Sequence, residues 1–342
     1  MPFDLMGAID EVADAAPTVV QPAPRVPGLV LHVDGDYLAY YASGNDETSA
    51  GQARQNALDL IDIFRSRTGA DSIVVHNTAK GCQKGERYLI ATVKPYQAQR
   101  ADGRKPKNQP YLQDWLMQYE GSVFRSKTWA TREADDGIAA CAHFAVGQKP
   151  GYVAIATADK DLRMLPGLHI DWKSFETTRV EPGAFEVIGT NGKLYGLKWF
   201  WMQMLTGDTA DHIPGLPGYL TYSKEKEPKP IFKPLGEKTA EKFLADCKGN
   251  ASAYEVVTGL YRGFYENHPA QASNWYDRFC EQAALLWMRC GNDAAVCDFA
   301  RHTGHSRINA SFCEDMWAAV ARLEQRVKDQ RTTLDALAGS AG

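Results

Sequence analysis

The chain has 342 residues, 44% hydrophobic and 23% charged, with a formal net charge of −4. That is ordinary for a soluble globular protein of one large domain or two modest ones. No apolar run approaches the ~18 residues of a membrane span, and the near-balanced charge gives no hint of a nucleic-acid partner, so the distribution of charge matters more than its sum.

The first residues, "MPFDLMGAIDEVADAAP", are acidic and do not read as an export signal. Residues 1–28 are Ala- and Pro-rich and are expected to form a loose leader with at most one short helix. "LVLHVDGD" is a short apolar run of the buried-strand type. "SAGQARQNALDLIDIFRSRTG" has helical spacing, with Leu58, Ile61 and Phe64 or its neighbours on one face, and "DSIVVHN" is a second strand. Strand, helix, strand favours a parallel pair with a right-handed crossover. Between Lys80 and Lys107 stand eight Lys/Arg against two acids, with Tyr88, Tyr96 and Tyr111 interleaved or adjacent. This reads as a solvated loop or as a segment that tracks phosphates. "READDGIAACAHFAVG" is a helix, with Gly147 expected just beyond its end. "VAIATADKDLRML" is a strand running into two aspartates. "WKSFETTRV" and "AFEVIGTNGKLYG" read as strand pieces with a turn at Asn191-Gly192. "LKWFWMQML" is an apolar helix, and from about residue 250 the pattern is helical. The seven cysteines contain no CxxC pair, which fits reduced thiols. Cys290, Cys297, His302 and His305 are too irregularly spaced to favour a zinc site.

Four acidic segments carry the chemistry. "VDGD" puts Asp34 and Asp36 at the end of the first strand, and "EADD" puts Glu133, Asp135 and Asp136 at a helix start. "TADKD" puts Asp159 and Asp161 after another strand. "GDTAD" puts Asp208 and Asp211 three apart, on one face if that stretch is helical. Singly, each is ordinary helix capping. Together they would line one cleft at the carboxyl ends of strands, where α/β sheets bind ligands. Two like charges about 4 Å apart repel by ~4 kcal/mol at an effective dielectric near 20, so such a cluster calls for hard divalent cations, Mg²⁺ or Mn²⁺. Two of these ions are suited to phosphodiester displacement. "IPGLPG…LGEKTAEKFL" adds Gly-rich turns before a helix, of a kind that binds phosphate through backbone N–H groups.

These segments, in this order over roughly residues 29–247, resemble the 5′-nuclease superfamily: bacteriophage 5′→3′ exonucleases and flap endonucleases, and the 5′-nuclease domain of bacterial DNA polymerase I. The resemblance implies an α/β fold with a parallel-sheet core flanked by helices (PIN-like), a helical arch or clamp, and a helix–three-turn–helix DNA-binding subdomain. It divides the chain into a core at 29–205 with the basic arch at about 78–110, a subdomain at 206–305 with an insertion at 219–234, and a helical end with a polar tail at 306–342. It implies metal ligation by Asp34, Glu133, Asp135, Asp136, Asp159, Asp161, Asp208 and Asp211, catalytic contacts from Lys84 and Arg100, and DNA contacts from Arg87, Tyr96, Gly215, Gly218, Gly236 and Lys238. The implied cofactors are two Mg²⁺ or Mn²⁺ ions, often with a K⁺ at the helix–three-turn–helix. The implied partner is DNA with a 5′ end or flap, with RNA–DNA hybrid as a related substrate, for a monomer acting in the cytoplasm, that of the host if phage-encoded.

Two departures stand out. The family's acid at the end of the second strand is replaced by His76 or Asn77, with Asn77 favoured as the equivalent position. Asp36 is the candidate substitute if strand alternation puts it beside Asp34; capping of the next turn is the competing role. The insertion "YLTYSKEKEPKPIFKP", with Pro228, Pro230 and Pro234, cannot be a continuous helix and is expected to be an exposed excursion. A metal-dependent RNase on a related acidic cleft, and a DNA-binding module whose metal site has decayed, are the competing functions.

Overall fold

The computed structural model describes residues 22–98, 105–149, 151–272, 274–301 and 308–340. Of the leader, residues 1–21 lie outside that set, as do Arg100, His302 and His305; Val26–Gly28 already belong to the first strand.

β1 (Val26–Asp34) is exposed at its first three residues and buried on both faces from Leu31 to Asp34. Leu31 and Val33 enter a core shared with α1 (Gly35–Ala42) and α2 (Ala50–Thr68), while His32 and Asp34 face the other side of the sheet. α2 begins at Ser49, whose side chain accepts from Gln52 N–H, and ends at Gly69 with φ 69°. Ala53, Ala57, Ile61, Phe64 and Thr68 form its buried stripe. β2 (Ala70–Thr78) follows, then α3 (Arg87–Ile90), α4 (Gln109–Met117), β3 (Arg125–Trp129), α5 (Ala134–Gln148), β4 (Val153–Ala156), β5 (Gly167–Ile170) and β6 (Thr177–Val180). The sheet order is β3-β2-β1-β4-β5-β6, parallel except for the β5–β6 pair. The strand order reverses at β1, so the crevice between the ends of β1 and β4 is a topological switch point.

Beyond the sheet come a small hairpin, β7 (Val187–Ile188) and β8 (Leu194–Tyr195), then α6 (Leu197–Thr206). The remaining helices are α7 (Glu237–Phe243), α8 (Asn250–Tyr265), α9 (Trp275–Leu286), α10 (Asp298–Arg301) and α11 (Glu314–Ser340). Ile138, Ile155, Leu162, Trp201, Val257, Phe279 and Met316 belong to one continuous core, so these helices pack as an extension of the sheet's second layer. No helix of the described residues is long and apolar enough to cross a membrane.

Two local expectations change, and the non-helical insertion takes a definite form. Gly147 lies inside α5, which runs to Gln148. The insertion is a β-hairpin, β9 (Tyr219–Tyr222) with β10 (Pro230–Lys233), anchored by Phe232 on Phe264 and His268 and by Tyr219 on Phe243. "GDTAD" is not helical: α6 stops at Gly207 (φ 71°), and Asp208 and Ile213 close a tight loop through paired backbone hydrogen bonds.

That loop depends on two glycines in the left-handed region. A Cβ on Gly215 (φ 66°) would stand 2.2 Å from Gly207 N, and one on Gly207 would stand 2.3 Å from Ile213 O. Gly215→Ala is therefore expected to cost about 1–3 kcal/mol or more. Gly147→Ala, with no neighbouring atom within 4 Å of the added Cβ, should stabilise by up to ~1 kcal/mol. Urea unfolding of the two variants checks both signs.

Candidate metal-binding acidic cleft

The switch-point crevice collects the four acidic segments. Asp34 ends β1 and caps α1, accepting from Tyr37 N–H at 3.1 Å. The following Gly35 lets the chain turn against β2, since a Cβ there would meet Asn77 Oδ1 at 2.3 Å and His76 O at 2.5 Å. After β4, Thr157 donates its hydroxyl to Asp34 Oδ2 (3.0 Å) and accepts from Asp159 N–H (2.9 Å), and Asp159 Oδ1 accepts from Asp161 N–H (2.9 Å). The "TADKD" turn is thus wired to "VDGD". Asp161 also accepts from Gln203 Nε2 on α6 at 2.5 Å.

Glu133 occupies the N-cap position of α5 without capping it; Thr78 Oγ1 accepts Ala134 N–H instead. The Glu133 carboxylate turns to Tyr96 Oη (2.9 Å) and Gln97 Nε2 (3.2 Å). The same two side chains reach Asp211, Tyr96 Oη at 3.0 Å and Gln97 Nε2 at 3.2 Å. Asp208 accepts from Lys160 Nζ at 2.9 Å and from Ala210 N–H at 2.8 Å.

Burial and the proximity of these acids to one another raise several of them. Burial and the Asp36 and Asp159 carboxylates push Asp34 up to about 7. Burial, with Asp136 and Glu133, drives Asp135 well above the usual carboxylate range, and burial with Asp159, Asp208 and Asp211 does the same to Asp161. Burial also raises Glu133, against the pull of Arg87. Among the described residues no three of these acids bring oxygens within 4.8 Å of one another, so they line a cleft rather than close on a point. All donors are hard oxygens, which suits an ion that keeps several of its waters. Gln203 Oε1, beside Asp161, is a buried acceptor with no partner, in keeping with a hydrated cation there.

Several expected roles are corrected. Asp136 is 0% and Arg87 1% exposed. They form a two-pronged ion pair at 2.7 and 2.9 Å, and Asp136 also accepts from Arg289 N–H. Burial would raise the Asp136 carboxyl, but Arg87 outweighs it and holds it below the usual range. Asp136 is therefore a structural anion, and Arg87 is out of reach of DNA. The Gly215 amide donates to Gln282 Oε1, and Gly218 is buried with its Cα against Lys233 O, whereas Gly236 and Lys238 are exposed. Lys84 Nζ donates to Gln97 Oε1 at the cleft edge. Asp36 sits in the first turn of α1, so strand alternation does not apply to it; its Oδ1 accepts Thr78 N–H at 3.2 Å.

In register, Asp34 lies beside His76, and Asn77 lies on the opposite face, donating to Ser126 Oγ at 3.0 Å. The second-strand neighbour of Asp34 in the cleft layer is therefore His76, not Asn77. His76 Nδ1 accepts from the Trp129 indole (3.0 Å) and its Nε2 lies 3.0 Å from His32 Nδ1. An indole N–H only donates, so Nε2 of neutral His76 carries the proton. With Cys141 these rings form the one His/Cys/Asp/Glu trio within 4.8 Å among the described residues, and that tautomer makes Trp129, His76 and His32 a hydrogen-bonded chain. Thr157, Lys160, Gln97 and Gln203 were not foreseen; the first two lie inside "TADKD" and Gln97 in the basic segment, while Gln203 is a lone polar residue in the apolar "LKWFWMQML" helix.

No protein-family model and no curated relative matches the chain. Among solved structures it is similar to a bacteriophage T5 5′-exonuclease with bound zinc (16% identity, TM-score 0.47). It is also similar to a bacteriophage T5 flap endonuclease in a pseudo-enzyme–product complex with DNA and metal ions (16%, 0.45). In both cases 88% of this chain and 97% of the other are covered. At this identity and these scores, the argument about function rests on the cleft itself.

The raised carboxyls give a pH prediction. A folded group that holds its proton more tightly than the unfolded chain contributes stability that is lost as pH rises through its folded value, about 7 for Asp34. A divalent cation should reverse that loss. Buried His32 and His169, both pushed down to about 4, pull the other way, but equally with and without metal. The increase in urea midpoint caused by Mg²⁺ should therefore grow from about pH 5 to about pH 8; an increment flat in pH would contradict cation binding at these acids.

Proposed function

We propose that the chain is a divalent-metal-dependent 5′→3′ nuclease that cleaves phosphodiesters near DNA 5′ ends, as an exonuclease and flap endonuclease. The observation that carries the reading is the convergence of four sequence-distant acidic segments on one switch-point cleft. Asp34, Asp135, Asp159, Asp161, Asp208 and Asp211, with Glu133, would hold two Mg²⁺ or Mn²⁺ ions. When bound, these ions supply a water of lowered pKa and neutralise charge on the phosphate.

The protein's own groups orient the rest. Thr157 fixes Asp34 relative to Asp159, Gln203 fixes Asp161, and Lys84 stands at the cleft edge, where it would meet the backbone of an incoming strand. Lys224, Lys226 and Lys229 on the hairpin, which alternate with Glu225 and Glu227, and Lys238 at the start of α7 are exposed and would meet the phosphates of a duplex. RNA-primer removal, action as a monomer, and a K⁺ near the Gly-rich turns belong to the same proposal.

End-labelled duplex, flap and RNA substrates with and without Mg²⁺ test it. Asp159→Asn should lower cleavage about 100-fold or more, the scale of losing one charge-stabilising group, while DNA binding persists. Full activity in excess EDTA would sink the reading. Replacing Lys224, Lys226 and Lys229 by Ala should weaken duplex binding and flatten its log K against log salt slope by up to roughly 0.9 per lost contact, with cleavage at saturating DNA retained.

A further inference from the structure

The turn that carries Lys84 is bent against the preference of its residues. Lys84, Gly85 and Glu86 have φ of 50°, 57° and 60° in succession. L-residues visit left-handed backbone singly and at a cost, and only glycine takes it freely. Such a run persists only where its surroundings hold it. On the inner side the hold is largely backbone: Gln83 N–H donates to Ala130 O (3.0 Å), Gly85 N–H to Thr131 O (2.9 Å) and Glu86 N–H to Gln83 O (2.8 Å). Gly85 also lies against Arg289, since a Cβ there would stand 2.5 Å from Nη1. On the outer side the hold comes from α11. Met316, Val320, Leu323 and Val327 form the buried stripe of that helix, and Arg331 is the next position on it, where the helix has left the core. Arg331 Nε and Nη2 donate to the two oxygens of Glu86, whose side chain is 12% exposed. Earlier on the helix, Arg326 Nη2 donates to Ile90 O at 2.9 Å, at the end of α3. α11 thus grips the chain both before and after α3.

We propose that Arg331 is a positioning residue for Lys84: by clamping Glu86 it keeps the left-handed turn closed and fixes where the Lys84 ammonium stands at the cleft edge. This rests on the reading of Lys84 as a contact for the backbone of an incoming strand. Glu86 shares the turn with Lys84, and Lys84 Nζ donates to Gln97 Oε1, whose own amide nitrogen reaches Glu133 and Asp211. The Arg87–Asp136 pair secures the floor beneath the turn, and Arg331 closes it from the solvent side. Without the clamp, Glu86 is free to relax toward right-handed backbone, and Lys84 leaves its place while the buried pair and the acids keep theirs. An ion pair whose arginine is half exposed adds little to global stability, so the effect of losing it is local.

The test combines amide hydrogen exchange with cleavage of end-labelled flap and duplex DNA in Mg²⁺, for the wild type, Arg331→Met, Arg331→Lys, Lys84→Ala and the Arg331→Met/Lys84→Ala double variant, with circular dichroism and a urea midpoint for each. In Arg331→Met, exchange at the Gly85 and Glu86 amides should quicken about tenfold or more, with the urea midpoint close to that of the wild type. Its kcat/KM should fall about tenfold, within the ~100-fold that a misplacement of about 1 Å can cost. Arg331→Lys, which keeps the charge, should recover most of that loss. In the Lys84→Ala background, Arg331→Met should cost nothing more, because the side chain it positions is gone. Wild-type exchange in Arg331→Met, full cleavage despite faster exchange, or the same fold-loss with and without Lys84 would overturn the proposal. A wild type that cleaves none of these DNAs would instead remove the nuclease reading on which it stands, while the exchange rates still report the clamp.

Discussion

The buried pairing of Arg87 with Asp136 is the constraint around which the site is arranged. The guanidinium gives two hydrogen bonds to the Asp136 carboxylate, one each to the carbonyls of Leu285 and Trp287, and a longer one to Glu133, while Asp136 also takes the Arg289 amide. One interaction thus joins α3, the start of α5 and the end of α9. Every strong donor and acceptor in it is used, so the cost of taking two charges out of water is offset locally. Removing either partner would strand a buried charge, at about 3–5 kcal/mol. Because Asp136 is committed inward, its neighbours Glu133 and Asp135 are the ones presented to the cleft.

The cleft sets the opposite problem. There, among the described residues, carboxylates outnumber cations, and the fold meets the repulsion with neutral donors (Thr157, Tyr96, Gln97, Gln203) and with the ammonium of Lys160 on Asp208. Capping and function are not exclusive readings of these acids. Asp34 does both, holding the Tyr37 amide while facing Asp159. Glu133 stands at a cap position and does no capping, which leaves its interactions across the cleft as the reason for its placement.

The parallel sheet, the placement of most acids and the non-helical insertion were legible because each leaves a local pattern: a short apolar run in β1, turn-forming aspartates after strands, prolines in the hairpin. What was not legible depends on partners far along the chain. Nothing near Arg87 announces that residues about two hundred positions later bury it, so a basic segment read by composition alone made it a DNA contact. Gly215 was read as a phosphate-binding glycine from its motif, whereas Gln282 claims its amide. Asp208 and Asp211 reached the cleft by a bridged loop rather than the helix face their spacing suggested. The side of the sheet on which Asn77 falls needed the register, which the sequence does not state.

That register has a consequence for any attempt to redesign the site. The side chains of β2 alternate residue by residue between two faces, and His76 and Asn77 are both buried. His76 and Thr78 share one face, His76 against His32 and Trp129 and Thr78 against the start of α5; Asn77 looks toward Gly35 and Ser126. A carboxylate introduced at position 77 would arrive on the wrong side, within a packed layer and without the hydrogen that now binds Ser126. The two positions on the correct side are already occupied by work of their own, His76 in the chain to His32 and Thr78 as the cap of α5. A further acid can therefore enter the cleft from this strand only in exchange for a contact that shapes it, and the architecture leaves α1, through Asp36, as the route by which extra negative charge reaches Asp34 without disturbing the sheet.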